Sequence, residues 1–259
     1  MPSVSNIAVG AAMAGAAATK ARHSMNESIA RLSTGIRTMY GGDSAGQSIA
    51  NSIGSKGASF AVAARNAEDG ISFLQSAESV LLELAALTTR MRELGLQHGN
   101  LNLLTTADNT AISAEAAAIS AAFDAITTNT KFNGIVVTGD ADIALAIDDS
   151  GNTVTVGSTA ALTSLAVTGT TAVATADVTQ SEIATALGAV AAGMSALKGY
   201  QAVAQATAAN LNAAAARIQD TDYAMETANL TKATILNQAA MAMVSQANDA
   251  QAAVLAVIQ

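Results

Sequence analysis

The sequence predicts a mainly α fold, a long antiparallel helical coiled-coil bundle with a small β-hairpin region in the middle of the chain. Hydrophobic residues make up 51% of the 259 residues but aromatic residues only 3%, so the apolar content is small and aliphatic. Such residues suit long helices packed closely side by side. The one proline, Pro2, leaves the rest of the chain free of that helix breaker.

The first helix is predicted from a narrow apolar face near the N-terminus. Apolar and small residues alternate there at spacings of four and three, which is the periodicity of one side of a helix. These positions are Ile7, Ala11, Ala14, Ala18, Ala21, Met25, Ser28 and Leu32. Because most of them are alanine, this face can approach a second helix closely.

Residues 7–18 also resemble the core of a signal peptide, but two observations oppose that interpretation. No Lys or Arg precedes the segment, and it is too short and alanine-rich to span a bilayer. We therefore expect neither a cleavable signal peptide nor a membrane partner.

Glycines and a capping residue separate the first helix from a longer second one. Gly35 and the pair at 41–42 predict an irregular connector, and Asp43 with Ser44 offers an N-cap for a helix over residues 45–98. Its second half has a strict four-three pattern at Phe73, Ala77, Val80, Leu84, Leu87, Met91, Leu94 and His98. A further helix is predicted after Asp108, with Ile112, Ile119, Phe123 and Ile126 on one face.

The middle of the chain changes character. Residues 135–178 are rich in Val, Thr and Gly, and residues 149–152 form a turn signal between two short apolar runs, which predicts a β-hairpin. The helical pattern resumes at Thr179 and predicts a third long helix, Ser181 to Ile218.

The C-terminal run Ala216 to Gln259 contains no Gly and no Pro, so we expect an uninterrupted helix there. A seven-residue ladder through Leu211, Ile218 and Met225 precedes an eleven-residue step to Leu236. The predicted C-terminal seam then consists of Leu236, Ala240, Met243, Ala247, Ala250, Val254 and Val257. The matching alanine-rich face of the N-terminal helix is its simplest partner.

No residue set indicates chemistry. Cysteine is absent, and the two histidines, His23 and His98, do not favour a zinc site. Asp148 and Asp149 stand near Asn152, which we interpret as a solvated turn because the glycine and glutamate of a calcium loop are misplaced. The net charge of −8 and the lack of a basic, aromatic patch argue against nucleic acid. We expect no catalytic residue, no cofactor and no metal.

Several segments closely resemble bacterial flagellin. ESIARLSTGIRT, DSAGQSIAN, ARNAEDGISFLQSAESVLLEL, RMRELGLQ and TKFNGI are similar to its N-terminal conserved half, and ARIQDTDYAMETANLTKATILNQAAMAMVSQAN is similar to its C-terminal half. The segments occur in the family's order and cover residues 3–134 and 195–259. The connector MYGGD is less polar than is usual in the family, and the common terminal Arg is missing.

The resemblance implies a structural subunit that polymerises into the bacterial flagellar filament and serves swimming as a passive propeller. It implies an extracellular homopolymer, exported through the flagellum's own channel, with an export chaperone, cap and hook-junction proteins as partners. A hook–filament junction protein and, from another class, a secreted helical adhesin or effector are the alternatives. The dense match through RMREL and NLTKATILNQAA favours the filament subunit. The lack of an aromatic anchor patch in the sequence argues against the adhesin.

The expected domain organisation follows the same resemblance. Residues 1–44 and 220–259 are expected to form the terminal coiled-coil core domain, and residues 45–134 and 179–219 the helical rod domain. Residues 135–178 are expected to be a short β-rich region with no separate outer domain.

The resemblance also implies a second functional patch at Arg90, Leu94 and Glu115. In similar flagellins these positions pack between neighbouring subunits and are recognised by an animal innate immune receptor. Thr89 replaces the family's common Gln, and Gly95 replaces a usual Ala. We expect filament packing as the first role of this patch.

Overall fold

The computed structural model describes residues 2–39, 41–100, 103–138, 142–157, 162–166 and 169–258. Side chains are described for these residues except 2–8, 142, 169–170, 255 and 257–258. The chain forms two compact units, which we call the terminal unit (Met1–Ser55 with Leu211–Gln259) and the central unit (Lys56–Asn210).

Five long helices and four short strands are present in the described residues. In chain order they are α1 (Pro2–Thr34), α2 (Ser44–His98), α3 (Thr106–Asn129), β1 (Lys131–Phe132), β2 (Ile135–Val136), β3 (Asp142–Ala146), β4 (Thr153–Gly157), α4 (Gly169–Gln219) and α5 (Tyr223–Ile258). The predicted mainly α fold with a small β-hairpin region is confirmed.

In the terminal unit, α1 packs along α5 in the antiparallel direction. Arg31 near the end of α1 meets Glu226 near the start of α5, while Met13 and Met243 line the same groove farther along. The two alanine-rich helices are therefore partners, as the matching faces predicted.

The prediction of one uninterrupted helix over Ala216 to Gln259 is wrong. Helix α4 ends at Gln219 and α5 begins at Tyr223. Asp222 caps the new helix, because its Oδ1 accepts hydrogen bonds from the backbone N–H of Ala224 at 2.9 Å and of Met225 at 3.2 Å. Asp220 pairs with Ile36 in an isolated β-bridge. A side chain that competes for backbone groups has interrupted the helix without Gly or Pro.

The central unit has a core of larger side chains contributed by α2, α3 and α4. Its fully or nearly fully buried members include Phe73, Leu74, Leu81, Leu84, Met91, Leu94, Phe123, Ile183, Val190 and Leu197. All positions of the four-three pattern predicted for α2 from Phe73 to His98 are buried or half-buried. The same holds for the predicted face of α3.

Helix α2 is long and apolar enough to cross a membrane by length and composition, and among the described residues it is the one helix that is. Core helices also meet this criterion, and 33% of its most apolar window is buried inside the protein. Leu74, Leu81 and Leu84 account for part of that burial.

Helix α4 begins at Gly169 rather than at the expected Ser181. Its first turns contain several Thr and Val residues, which favour strand by intrinsic propensity. Ala172 and Ala176 are nonetheless buried in the core of the central unit. Tertiary packing has therefore extended the helix into a segment that local propensity assigned to the β-rich region.

Two antiparallel hairpins fill the middle of the chain. β1 and β2 are joined by Asn133 and Gly134, whose positive φ values of 49° and 85° fit a two-residue turn. β3 pairs with β4 from Asp142↔Gly157 to Ala146↔Thr153, so the predicted hairpin around residues 149–152 is confirmed. Leu145 of β3 fills the space left by the missing side chain at Gly70.

Gly95 allows the backbone of α2 to approach α4 closely. Substitution of this glycine therefore tests the packing of the core. A Cβ at Gly95 would lie 2.8 Å from Val173 Cγ2 and 3.2 Å from the Val173 backbone N, which cannot move without the helix. We expect Gly95→Ala to lower the free energy of unfolding by about 1–2 kcal/mol, because overpacking outweighs the gain in helix propensity.

Gly188→Ala is the matched control, because a Cβ at Gly188 of α4 meets nothing within 4 Å. This change should raise the free energy of unfolding by roughly 0.5–1 kcal/mol. Urea unfolding of the two variants and the parent measures both effects. A Gly95→Ala protein as stable as Gly188→Ala would contradict the close packing of α2 on α4.

Candidate assembly surfaces

The inner face of the terminal hairpin, formed by α1 and α5, is built mainly from small residues. On α1 every described position of the predicted face is buried or half-buried. These positions are Ala11, Ala14, Ala18, Ala21, Met25, Ser28 and Leu32. The side chain of Ile7 lies outside the described residues. Alanine permits a short distance between the helix axes but buries little apolar surface per residue.

The facing stripe of α5 differs in part from the predicted seam. Its buried and half-buried positions at alternating four-three spacing are Glu226, Leu230, Ala233, Asn237, Ala240, Val244, Ala247, Gln251 and Val254. Ala240, Ala247 and Val254 were predicted, whereas the side chain of Val257 lies outside the described residues.

Leu236 and Met243 do not belong to this inner stripe, which corrects the sequence prediction. They are 51% and 63% exposed. Both lie about 40–60° around the helix axis from the alanines that face α1, on the side of the hairpin that opens into a groove. Small residues occupy the closest approach of the two helices, so the larger side chains are left at its edge.

This groove, which we call the hairpin groove, runs along one side of α1 and α5 and has a volume of about 830 Å³. Its floor consists of alanines from both helices, and Met13, Leu236 and Met243 project at its sides. Such an apolar, elongated depression between two helices fits the ridge of a third helix.

Charged residues lie at one end of the hairpin groove. Arg31 forms ion pairs with Glu226 (Nη1–Oε1 3.6 Å) and with Glu27 (Nη2–Oε2 3.9 Å). The Glu226 side chain is only 8% exposed, whereas that of Glu27 is 61% exposed. A buried carboxylate therefore faces a single guanidinium at the point where the alanine stripe ends.

Hydrogen bonding at this face is incomplete in the single chain. Among the buried side-chain polar atoms of the described residues, four lack a hydrogen-bond partner, and three of them belong to the terminal unit. These three are Thr221 Oγ1, Glu226 Oε1 and Asn237 Oδ1. Buried polar groups are normally satisfied, so this concentration marks the hairpin as a strained or unfinished surface.

The connectors beside the hairpin are tied together by backbone and side-chain hydrogen bonds. Gly35, at φ 71°, accepts a hydrogen bond from Thr221 N–H at 2.9 Å. Arg37 donates to Ile218 O at 2.9 Å and to Asp43 Oδ2 at 3.1 Å. A hydrogen bond from Gly46 N–H, followed by that from Arg37, lowers the pKa of the Asp43 carboxyl. Asp43 therefore caps α2 in its charged form.

The second predicted patch is divided by the structure. Arg90 donates to Glu115 Oε1 from Nη2 at 2.7 Å and from Nε at 2.9 Å, which links α2 to α3 at the surface. These bonds, and one to Glu93, raise the pKa of Arg90. Leu94 instead lies inside the core of the central unit, 1% exposed. Arg90 and Glu115 thus share a surface from which Leu94 is absent.

The carboxylate of Asp148 stabilises the turn in which it lies. Asp148 Oδ1 accepts hydrogen bonds from Ser150 N–H at 2.9 Å and Asn152 N–H at 2.8 Å. The hydrogen bond from the Asn152 side chain is the largest cause that lowers the pKa of Asp148. Within the described part of the chain, no group of three or more His, Asp or Glu side chains is placed to hold a metal ion.

Sequence reasoning missed the polar members of the inner stripe, Glu226 and Asn237. A signal for Glu226 was available, because it precedes Ala233, Ala240 and Ala247 at seven-residue intervals. Because Glu226 is charged, a search for apolar residues at seven-residue spacing passed over it. Asn237 carried the same kind of signal, because it lies seven residues after Leu230 and seven before Val244.

Two regions of one known protein family match this chain, and each region contributes helices to both the terminal and the central unit. Residues 5–137 match the bacterial flagellin N-terminal helical region, and residues 169–258 match the bacterial flagellin C-terminal helical region. The first match alone covers α1, α2, α3, β1 and β2. The second covers α4 and α5. The segment between them contains the β3–β4 hairpin.

Individual relatives align over most of their length. A flagellin of Halalkalibacterium halodurans is 31% identical over 245 residues, which cover 88% of this chain and 90% of that protein. The flagellar filament 33 kDa core protein of Treponema phagedenis is 30% identical, covering 91% and 93%. A flagellin of Bacillus subtilis is 30% identical, covering 84% and 87%. The chain therefore belongs to the bacterial flagellin family of structural, filament-forming proteins.

Proposed function

We propose that this chain is the structural subunit of an extracellular bacterial flagellar filament and polymerises through its terminal hairpin to serve swimming motility. The observation that carries this proposal is the α1–α5 pair itself. The inner positions of α1 are mostly alanine, and those of α5 combine alanine with Leu, Val and polar residues, while large apolar side chains such as Met13 and Met243 remain exposed beside them. Neighbouring copies that cover these side chains supply the burial that the hairpin lacks.

In the proposed domain organisation, residues 1–44 and 220–259 form the filament core domain. Residues 45–134 and 179–219 form the helical rod domain, and residues 135–178 take the place of an outer domain. Support comes from the central unit, whose larger core is complete within residues 56–210. Such a unit is able to remain folded without assistance from the terminal helices.

Further partners follow from family membership and from the exposed hairpin groove. In this proposal an export chaperone covers the apolar hairpin groove before assembly, because an exposed apolar surface favours contact with another protein. Cap and hook-junction proteins contact the same groove at the filament ends. Retention of the N-terminal apolar segment in the assembled subunit is part of this proposal, because α1 forms half of the hairpin.

An animal innate immune receptor is a further proposed partner, with Arg90 and Glu115 as its contacts. The exposed Arg90 guanidinium, paired with the carboxylates of Glu93 and Glu115, presents a charged, hydrogen-bonding epitope. Because Leu94 is buried, we omit it from this epitope.

The first test of assembly removes residues 244–259. This truncation deletes Val244, Ala247 and Val254 from the inner stripe but leaves the core of the central unit intact. The variant should be soluble and helical by circular dichroism, yet form no filaments in electron micrographs where the parent does. Filaments of normal length from the truncated chain would contradict assembly through the terminal hairpin.

The second test enlarges one alanine of the inner stripe. Ala240 is buried between α1 and α5, so Ala240→Leu should push the helices apart at a cost of about 1–3 kcal/mol. The critical concentration for polymerisation, measured by sedimentation, should rise at least fivefold. Ala213→Leu, at an exposed position of α4, is the control and should polymerise like the parent. Equal critical concentrations for both variants would oppose close packing of the hairpin.

The third test addresses the receptor. Arg90→Ala should reduce activation of receptor-bearing reporter cells by roughly tenfold, the effect of losing one charged anchor at an interface. Arg92→Ala is the matched control, because Arg92 is an equally exposed arginine of α2 that pairs with Asp177 at 2.7 Å. Equal loss from both variants would argue against a specific contact at Arg90.

A further inference from the structure

The alanine stripe of the terminal hairpin does not by itself define one alignment of the two helices. Ala14 and Ala21 of α1 are seven residues apart, as are Ala233 and Ala240 of α5. A slide of one helix by seven residues therefore places alanine against alanine again. Coiled coils remove such ambiguity with polar residues at inner positions, which favour one register at some cost in stability.

Glu226 and Arg31 are the charged residues that distinguish the observed register. Glu226 occupies the inner stripe of α5, its side chain is 8% exposed, and its Oε1 lies 3.6 Å from Arg31 Nη1. A slide of seven residues moves one partner by about 10 Å along the helix axis. The buried carboxylate then loses its one nearby guanidinium, an arrangement that is strongly disfavoured.

The ion pair also predicts which residues face each other along the hairpin. We take Ser28, the buried α1 residue about one turn before Arg31, as the residue opposite Glu226. Continuing antiparallel from that pair, the alternating burial pattern predicts Ala233 opposite Ala21 and Ala240 opposite Ala14. In this alignment Met13 and Met243 stand on opposite sides of the hairpin groove. A slide of either helix would separate them and change the shape of the groove.

We propose that the Arg31–Glu226 ion pair fixes the register of α1 against α5 and thereby aligns the hairpin groove for a neighbouring copy of this chain. Both are positioning residues, since they act through the alignment of the apolar side chains. The part that concerns the neighbouring copy rests on the proposed filament function, whereas the register itself is a property of one chain.

The absence of cysteine allows the register to be measured directly by engineered disulfides. Ala21→Cys with Ala233→Cys reports the observed alignment, because only residues whose Cα atoms lie within about 7 Å can be bridged. Ala14→Cys and Ser28→Cys, each combined with Ala233→Cys, report slides of seven residues in the two directions. Each pair is oxidised in soluble subunits and in filaments, and mass spectrometry separates bonds within one chain from bonds between chains.

In the parent background we expect the bond between positions 21 and 233 to exceed each of the other two at least tenfold. Glu226→Ala, and the milder Glu226→Gln, should bring a slid-register bond to within threefold of it. Combining Arg31→Glu with Glu226→Arg should restore the preference. Glu27→Ala is the control and should leave it unchanged, because Glu27 is exposed and lies 3.9 Å from Arg31.

Two results would overturn the register proposal. One is an unchanged preference for the 21–233 bond in both Glu226 variants, and the other is failure of the exchanged pair to restore that preference. Polymerisation of the parent, observed by electron microscopy, is a separate readout. A parent that does not polymerise would contradict the filament function, while the disulfides of the soluble subunit still decide the register.

Discussion

The close approach of two alanine-rich helices is the constraint on which the rest of this molecule depends. Alanine loses no side-chain entropy in a helix and allows a short distance between helix axes, but it buries little apolar surface. Ordering each residue of the backbone costs roughly 1–2 kcal/mol, which so thin an inner face does not offset by itself. In the function that we propose, the terminal hairpin gains the missing stability from contact with other copies.

The central unit, in contrast to the terminal hairpin, buries large apolar side chains within one chain. Its helices meet through Leu, Met, Phe, Ile and Val side chains, and residues such as Leu74 and Leu197 are fully buried within one chain. The central unit therefore has a complete core within one chain, and in the proposed function the less complete burial of the hairpin favours assembly. Each of the two matched regions of the flagellin family contributes to both kinds of packing, because residues 5–137 include nearly all of α1 together with α3, and residues 169–258 include α4 and α5.

Periodicity predicted most of the fold because large apolar residues at four-three spacing have few alternatives to a buried helix face. It did not predict the break before Tyr223, where the Asp222 carboxylate competes for backbone N–H groups. Nor did it distinguish Ala240 from Leu236, because hydrophobicity alone does not say which of two neighbouring stripes meets the partner. The surface patch was predicted only in part, since the burial of Leu94 depends on tertiary packing.

The exposed rim of the hairpin groove carries unbranched thioether side chains at Met13 and Met243. Methionine has three rotatable bonds and a polarisable sulfur, so it adapts to irregular surfaces that β-branched residues do not fit. A neighbour that arrives at a slightly different angle or height still finds a matching contact. In the proposed filament, this plasticity lets one amino-acid sequence pack against its neighbours in more than one mode.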